Sequence, residues 1–186
     1  MPHFERVAEA DRGFGNRLAT RLFFPLLLVL AVVLVVFFVV FWTGEVSGDS
    51  MLPGLMDADL MLVTRGYDRP ARGDVIVIDA DSYESGDEGI VKRVVALPGD
   101  EIVITDSRAY VNGVAESGYD LLTLPGFRGS GTNMPAVVVP EGYVFVLGDN
   151  RAVSLDSRSL GPIPLDLVRG RAVAVFAPVN HMGMID

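Results

Sequence analysis

Hydrophobic positions divide the chain into two parts with different patterns. Residues 22–42 form an apolar stretch without a single charged residue. As an α-helix with a rise of about 1.5 Å per residue, this stretch spans about 30 Å, the hydrocarbon thickness of a bilayer. Pro25 lies in the first turn, where its missing N–H costs little. The pattern predicts a transmembrane helix over residues 22–42, between a tail over 1–21 and a domain over 43–186.

A cleaved signal peptide is the alternative interpretation of this stretch. Its apolar region would be shorter and would be followed by a cleavage site of small residues. Here the stretch ends in Phe41-Trp42-Thr43, with Trp42 placed as an interfacial anchor. Four arginines precede the stretch, and no basic residue follows it until Arg65. The positive-inside rule therefore places residues 1–21 in the cytoplasm and residues 43–186 outside the membrane, as a single-pass protein.

After Thr43 the apolar positions form short runs bounded by Gly, Pro and Asp, which is typical of β-strands. Pro98-Gly99-Asp100 and Asn112-Gly113 are turn signals between such runs. No amphipathic helical pattern longer than two turns follows the apolar stretch. The fold class is therefore predicted as mainly β: a folded-over antiparallel sheet or partly open barrel behind one N-terminal helix. The predicted strands cover residues 74–79, 90–97, 101–105, 136–139, 143–147 and 171–176.

Residues 115–135 interrupt this pattern with a glycine-rich segment. A segment of this length without strand pattern is either functional or disordered. Its apolar content exceeds what a solvated linker needs, and we interpret it as a flexible insertion near the membrane or a substrate groove. The apolar residues are Leu121, Leu122, Leu124 and Phe127.

Composition excludes several classes of site. The chain has no cysteine, which excludes disulfides, thiol nucleophiles and zinc–thiolate centres. Its formal net charge of −9 argues against nucleic-acid binding. His181 is the only histidine after the apolar stretch, and we interpret it as a surface residue, so a Ser-His-Asp triad has little support. The acidic residues lack the spacing of a calcium loop. We expect no metal and no cofactor.

Lys92 is the only lysine beside fourteen arginines, and it lies in the apolar run of residues 89–97. Arginine keeps its proton in proteins, whereas a buried lysine can become a neutral amine that accepts protons. A coding bias toward arginine explains the scarcity of lysine but not this position. Such a base needs a hydroxyl on an exposed turn. Ser50 lies in a candidate turn bent by Gly48 and Pro53, although that segment alone indicates only an ordinary turn.

Four segments in order, behind one apolar helix, resemble the bacterial type I signal peptidases, membrane-bound Ser/Lys proteases that remove signal peptides. A histidine in place of the lysine marks the endoplasmic-reticulum relatives, so Lys92 points to the bacterial type. The segments are Ser50-Met51-Leu52-Pro53, similar to the nucleophile motif; residues 91–100, similar to the general-base motif; the hairpin residues 110–113; and residues 148–161, similar to the last conserved box.

The resemblance implies a role for each residue of the site. Ser50 would be the nucleophile, and Lys92 the base that takes its proton and later activates the deacylating water. Ser154 would donate to or accept from the Lys92 amine and orient it. The oxyanion hole would combine the Ser50 N–H with a donor from Gly48. That donor must be a backbone N–H, because some members have a serine hydroxyl at this position and this chain does not.

Two further groups follow from the resemblance, one lining the substrate groove and one holding the last box beside the active site. Asp149 is the expected partner of Arg93. The groove residues are Val46, Ser47, Gly48, Met51, Leu55, Ile90 and Val91, and the structural charges are Arg93, Asp149, Arg151, Asp156 and Arg158.

The implied function is a serine endopeptidase that cleaves exported preproteins at small-x-small sites just outside the lipid bilayer. Two alternatives stay open: a self-cleaving Ser/Lys protease like the repressor family, and an anchored β domain that binds peptides without cutting them. Cleavage of an Ala-x-Ala peptide that depends on both Ser50 and Lys92 distinguishes the peptidase from the binder. Autolysis without any preprotein, stopped by Lys92→Arg, would favour the self-cleaving protease.

Overall fold

The computed structural model describes residues 21, 23–79, 89–106, 108–116 and 133–185. The chain divides into two compact units, Met1–Val40 and Phe41–Asp186. Most of the predicted tail, residues 80–88, and most of the predicted insertion over 115–135 lie outside the described residues. The predictions for those segments stay predictions.

In the first unit, helix α1 runs over Phe23–Val40 and is long and apolar enough to cross a membrane. Its 18 residues correspond to about 27 Å, and its large apolar side chains are exposed. The predicted N-terminal apolar helix is therefore present. It ends before the predicted boundary at residue 42, because Phe41 and Trp42 already belong to a strand.

The second unit is mainly β, as predicted, with two antiparallel sheets. One sheet has the order β1-β2-β11-β3-β4-β9-β10, with β12 paired to β11, and the other has the order β7-β6-β5-β8. The strands are β1 Phe41–Glu45, β2 Leu60–Thr64, β3 Val75–Ile78, β4 Ile90–Ala96, β5 Glu101–Thr105, β6 Arg108–Val111, β7 Val114–Ala115, β8 Met134–Val138, β9 Tyr143–Leu147, β10 Ile163–Pro164, β11 Val168–Ala177 and β12 Gly183–Met184.

The six predicted strands are all present as β3, β4, β5, β8, β9 and β11; β5 and β9 have the predicted bounds, and the other four have shifted ends. The β6–β7 hairpin turns at Asn112 and Gly113, both with positive φ, as a two-residue turn of this type requires. Helix α2, Ser157–Leu160, is a single turn. Strands β1, β2, β10 and β12 were not predicted, because short or uniformly apolar runs carry little alternation.

Strand β4 is the interior strand that positions the site. It pairs with β3 on one side and with β9 on the other. Successive side chains of a strand point to opposite faces, so Lys92 and Arg93 face different surroundings. Both are buried.

The core beneath the site includes the turn that carries Ser50. Met51 and Leu55 belong to the same buried cluster as Val46 and Val91, and are 1% and 0% exposed. The apolar residues flanking Ser50 therefore fix its turn against β4.

Candidate active site

Ser50 and Lys92 lie side by side, although 42 residues separate them in the chain. The Lys92 Nζ is 2.9 Å from the Ser50 Oγ, at hydrogen-bonding distance. Ser50 comes from the turn after β1, and Lys92 from the middle of β4. The fold thus brings together the two residues that the sequence singled out for chemistry.

The Lys92 ammonium is buried, and no carboxylate of the described residues forms an ion pair with it. Its side chain is among the buried charged groups, at 4% exposure. Its other hydrogen bond goes to the Val91 carbonyl oxygen, at 2.7 Å. Burial lowers the pKa of Lys92 to about 8, against the opposing charges of Asp156 and Asp149. A neutral amine in contact with a hydroxyl is therefore accessible near neutral pH.

The turn that carries Ser50 is closed by main-chain hydrogen bonds. The Leu55 N–H donates to the Met51 carbonyl at 2.9 Å, and the Leu52 N–H donates to the Asp49 carbonyl at 3.3 Å. The Val46 N–H donates to the carbonyl of Asp59 at 2.9 Å. This network holds the turn against the end of β1.

The segment after β9 contacts the same turn through its backbone. The Asn150 N–H donates to the Ser50 carbonyl at 3.0 Å, and the Asn150 Nδ2 donates to the Asp49 carbonyl at 3.0 Å. A Cβ at Gly148 would overlap the Ser154 side chain and the Ser50 carbonyl oxygen. The sequence analysis gave Gly148 and Asn150 no role; their only signal was their place inside the last conserved box.

Ser154 lies in this region but does not bond to Lys92. Its hydroxyl is buried and has no hydrogen-bond partner among the described residues. The predicted Ser154–Lys92 hydrogen bond is therefore not formed in this structure, because the amine donates to the Val91 carbonyl and the Ser50 hydroxyl instead. The orienting role of Ser154 stays a prediction.

The Gly48 N–H, predicted as the second oxyanion donor, is already engaged. It donates to the Asp57 Oδ1 at 2.7 Å. Gly48 has φ +83, a left-handed conformation that favours glycine, and a side chain there would meet nothing within 4 Å. In this structure the Gly48 N–H is therefore bonded to a carboxylate, and its role as the second oxyanion donor stays a prediction.

The predicted structural charges are all paired. Arg93 donates to Asp149 through Nε and Nη2, both at 2.8 Å, which is the partner expected for it. These side chains are 3% and 0% exposed. Arg158 donates to Asp156 at 2.8 and 2.9 Å. Each of these carboxylates thus accepts a two-point interaction from a guanidinium.

Arg151 has a partner that the sequence analysis did not assign. Its Nη2 donates to both carboxylate oxygens of Glu116, at 2.9 and 2.8 Å, and its Nε donates to the Gly148 carbonyl at 2.9 Å. The Gly148 N–H donates to the Asp156 Oδ2 at 3.0 Å. Gly148 is therefore bonded through its N–H to Asp156 and through its carbonyl to Arg151, and both of these side chains belong to ion pairs.

His181 is also tied into the nucleophile region, rather than being a free surface residue. Its Nδ1 is 2.7 Å from the Oδ2 of Asp59, which is 1% exposed. The same Asp59 oxygen accepts the Met56 N–H at 2.8 Å. The segment after the nucleophile turn is thereby linked to the chain end.

A cleft of about 450 Å³ opens beside the Ser50–Lys92 pair. Of the predicted groove residues, Leu55 does not line it, because its side chain is completely buried in the core. Gly48 does not line it either. The predicted residues that do are Val46, Ser47, Met51, Ile90 and Val91; the others are Trp42, Gly44, Glu45, Met61, Val77, Gly89 and Arg169, together with Ser50 and Lys92.

Comparison with known proteins gives consistent matches. Residues 19–177 match the family described as signal peptidase, peptidase S26. The chain is 34% identical over 149 residues to the probable signal peptidase I-1 of Synechocystis sp., covering 75% of this chain and 73% of that protein. It is 36% identical over 152 residues to signal peptidase I of Bacillus licheniformis, covering 76% and 79%. A crystal structure of a signal peptidase I from Enterococcus faecalis V583 matches with 28% identity and a TM-score of 0.46, covering 57% of this chain and 98% of that one.

Proposed function

The chain belongs to the signal peptidase family, peptidase S26, and we propose that it removes signal peptides with Ser50 as nucleophile and Lys92 as general base. The observation that carries this proposal is the 2.9 Å contact between the Lys92 Nζ and the Ser50 Oγ in a buried setting. A nucleophile within hydrogen-bonding distance of a base is the arrangement that covalent catalysis by serine requires.

In the acylation step, the neutral Lys92 amine accepts the Ser50 proton while the Ser50 Oγ attacks the substrate carbonyl carbon. The resulting ammonium then gives that proton to the departing amine, which is the new N-terminus of the exported protein. The signal peptide stays attached to Ser50 as an ester. In deacylation Lys92 takes a proton from water, whose oxygen attacks the ester, and the proton returns to the Ser50 Oγ.

The pKa of Lys92, which burial lowers, supports its proposed role as the general base. With a pKa of about 8, about a tenth of the Lys92 side chains are neutral at pH 7, against well under a thousandth at the ordinary lysine pKa. A carboxylate in contact with the amine would remove this advantage by stabilising the ammonium. No ion pair to Lys92 is present within the part of the chain that the structure describes.

The oxyanion is assigned in this proposal to the Ser50 N–H as its first donor. The Gly48 N–H can act as a second donor only after it leaves the Asp57 carboxylate, to which it is bonded. Release of that bond when substrate enters is part of the proposal.

Helix α1 is proposed to anchor the enzyme, with the N-terminus in the cytoplasm and the β unit outside the membrane. Its length, its apolar composition and the four preceding arginines support this orientation. The substrates are exported preproteins with a small-x-small cleavage site, bound in extended form between the end of β1 and the start of β4. Among the described strands β1 is the last of its sheet, which supports this mode of binding.

The test is hydrolysis of an Ala-x-Ala peptide by the purified full chain in detergent. We expect Ser50→Ala and Lys92→Ala each to abolish cleavage, and Lys92→Arg to be equally inactive because arginine keeps its proton. Ser159→Ala, at an exposed position, serves as the matched control and should cleave normally. Full activity of Lys92→Ala would contradict the dyad, and an inert wild type would favour the peptide-binding alternative.

A further inference from the structure

We propose that Glu45 forms a subsite of the cleft that selects a cationic side chain of the substrate, two to four residues from the scissile bond. This inference rests on the proposed function, because it concerns the peptide bound beside Ser50. It depends on where the charged groups of the cleft lie, and on which of them already have partners.

Both walls of the cleft extend from the Ser50–Lys92 pair toward lower residue numbers. One wall contains Gly44–Ser47 and the other contains Gly89–Val91. Ile90 is two residues from Lys92 along β4, which corresponds to about 6.6 Å at the rise of a strand. An extended peptide along these walls therefore brings the side chains two to four residues from the bond to the end where Glu45 lies.

Among the described residues that line the cleft, most are apolar or small, and only two besides Lys92 are ionised. These are Glu45 and Arg169. Arg169 belongs to β11 at a register shift between Val168 and Gly170, opposite Ile78 and Val77 of β3. Because Ile78 in turn pairs with Ile90, Arg169 lies beside the wall of the cleft that β4 provides.

The two charges differ in their partners. The Arg169 Nη2 lies 2.7 Å from the Asp79 Oδ1, so its charge is already balanced. Glu45 is exposed and forms no ion pair within the described ranges of the chain. Apart from Lys92, the described charges of the cleft therefore sum to a negative net charge once Arg169 is counted with Asp79. This charge favours a substrate lysine or arginine beside Glu45 and disfavours a glutamate.

The size of the effect follows from the exposure of the subsite. Solvent-exposed ion pairs change an equilibrium by about two- to fivefold, and salt screens them. The preference is therefore modest, and it should be largest at low ionic strength. It acts on the order in which competing preproteins are cut.

The experiment uses one Ala-x-Ala peptide series in which Lys, Gln or Glu replaces a single residue at each position from six before to two after the scissile bond, except the two alanines. The readout is the ratio of kcat/KM for the Lys peptide to that for the Gln peptide, measured for the full-length protein in uncharged detergent. We expect a ratio of about two to five at one or two positions two to four residues from the bond, and a ratio below one for Glu against Gln there.

Glu45→Gln should bring the Lys-to-Gln ratio to about one, while Glu141→Gln, which neutralises an exposed carboxylate outside the cleft, should keep the wild-type ratio. Arg169→Gln should raise the ratio, because it removes a positive charge from the cleft. Equal cleavage of all three peptides at every position, a preference for Glu, or a ratio unchanged by Glu45→Gln would each overturn the subsite and leave the proposed function intact. A wild type that cleaves none of the peptides would instead contradict the proposed function.

Discussion

Lys92 and Arg93 are neighbours in β4 and are buried to the same extent, at 4% and 3% exposure. They differ in what surrounds the charge. Arg93 donates two hydrogen bonds to Asp149 and one to the Gly73 carbonyl, at 2.6 Å. Lys92 meets a hydroxyl and a carbonyl oxygen, with no carboxylate in contact among the described residues.

The presence or absence of a carboxylate partner distinguishes a charge that stabilises the fold from a group that can act as a base. A buried ion pair with full hydrogen bonding stabilises the charged form of both partners. A buried amine without a counter-charge is pushed toward its neutral form, which lowers the stability of the fold and makes a base available. Because adjacent residues of a strand face opposite sides, one strand carries both kinds of group.

The largest effect on stability is expected when the Arg93–Asp149 ion pair is broken. Asp149→Ala leaves a guanidinium buried without its counter-charge, so the free energy of unfolding should fall by about 3–5 kcal/mol. Denaturant unfolding of the full chain in mild detergent measures the change. Arg169→Ala, which breaks a pair whose side chains are 40% and 31% exposed, should cost less than about 1 kcal/mol. Equal losses for the two variants would remove the distinction between buried and exposed pairs.

The pH dependence of cleavage tests the Lys92 side. The reactive form is the neutral amine, and the pKa of Lys92 is about 8, so kcat/KM should be level above that pH and fall as the pH is lowered. The fall should approach about tenfold per unit below the pKa, or about five-hundredfold from pH 8 to pH 5. The substrate should be an Ala-x-Ala peptide without titratable side chains. A flat profile between about pH 5 and 9 would contradict a lysine base.

A smaller and opposite effect on stability is expected when Lys92 is replaced by an apolar residue. The folded pKa of about 8 lies below the ordinary lysine pKa of 10.5, so the folded state resists protonation and is destabilised at pH values below both. Lys92→Met should therefore raise the free energy of unfolding by about 1–3 kcal/mol at pH 7. The gain should shrink as the pH rises from about 8 and vanish above about 10.5. A variant that is less stable than wild type at pH 7 would contradict this account.

The smallest effect is expected at Ser154. Its hydroxyl is buried without a hydrogen-bond partner among the residues described, so Ser154→Ala should change the free energy of unfolding by less than about 1 kcal/mol. If Ser154 orients the Lys92 amine in the substrate complex, kcat should still fall by about tenfold. Thermal unfolding and single-turnover kinetics separate the two, with Ser159→Ala as the control. An unchanged kcat would leave Ser154 a packing residue.

Much of the fold was predictable because its strands are short alternating runs separated by turn residues. Strand β1 was missed because Phe41 and Trp42 continue the apolar stretch of helix α1, and hydropathy alone does not show where a helix gives way to a strand. Strand β2 was missed because it is five residues of nearly uniform apolar character. Pairing partners, not composition, define both strands.

Part of the candidate site was predictable, because few residue types can act as its base and its nucleophile. A single lysine in an apolar run indicates a base, and the resemblance supplied Ser50 and the Arg93–Asp149 pair. The engagement of the Gly48 N–H by Asp57 was not predictable, because Asp57 is one of several acidic residues in turns. The missing Ser154–Lys92 hydrogen bond depends on rotamers and on tenths of an ångström, which no sequence pattern encodes.

The absence of a side chain at Gly148 has a consequence for how relatives of this protein can vary. Gly148 lies so close to the Ser50 carbonyl oxygen that only main-chain atoms fit between the two segments. The Ser50 hydroxyl, the proposed nucleophile, is therefore positioned through main-chain atoms. Under the proposed function, substitutions along the groove can change which preproteins are processed first without altering this contact.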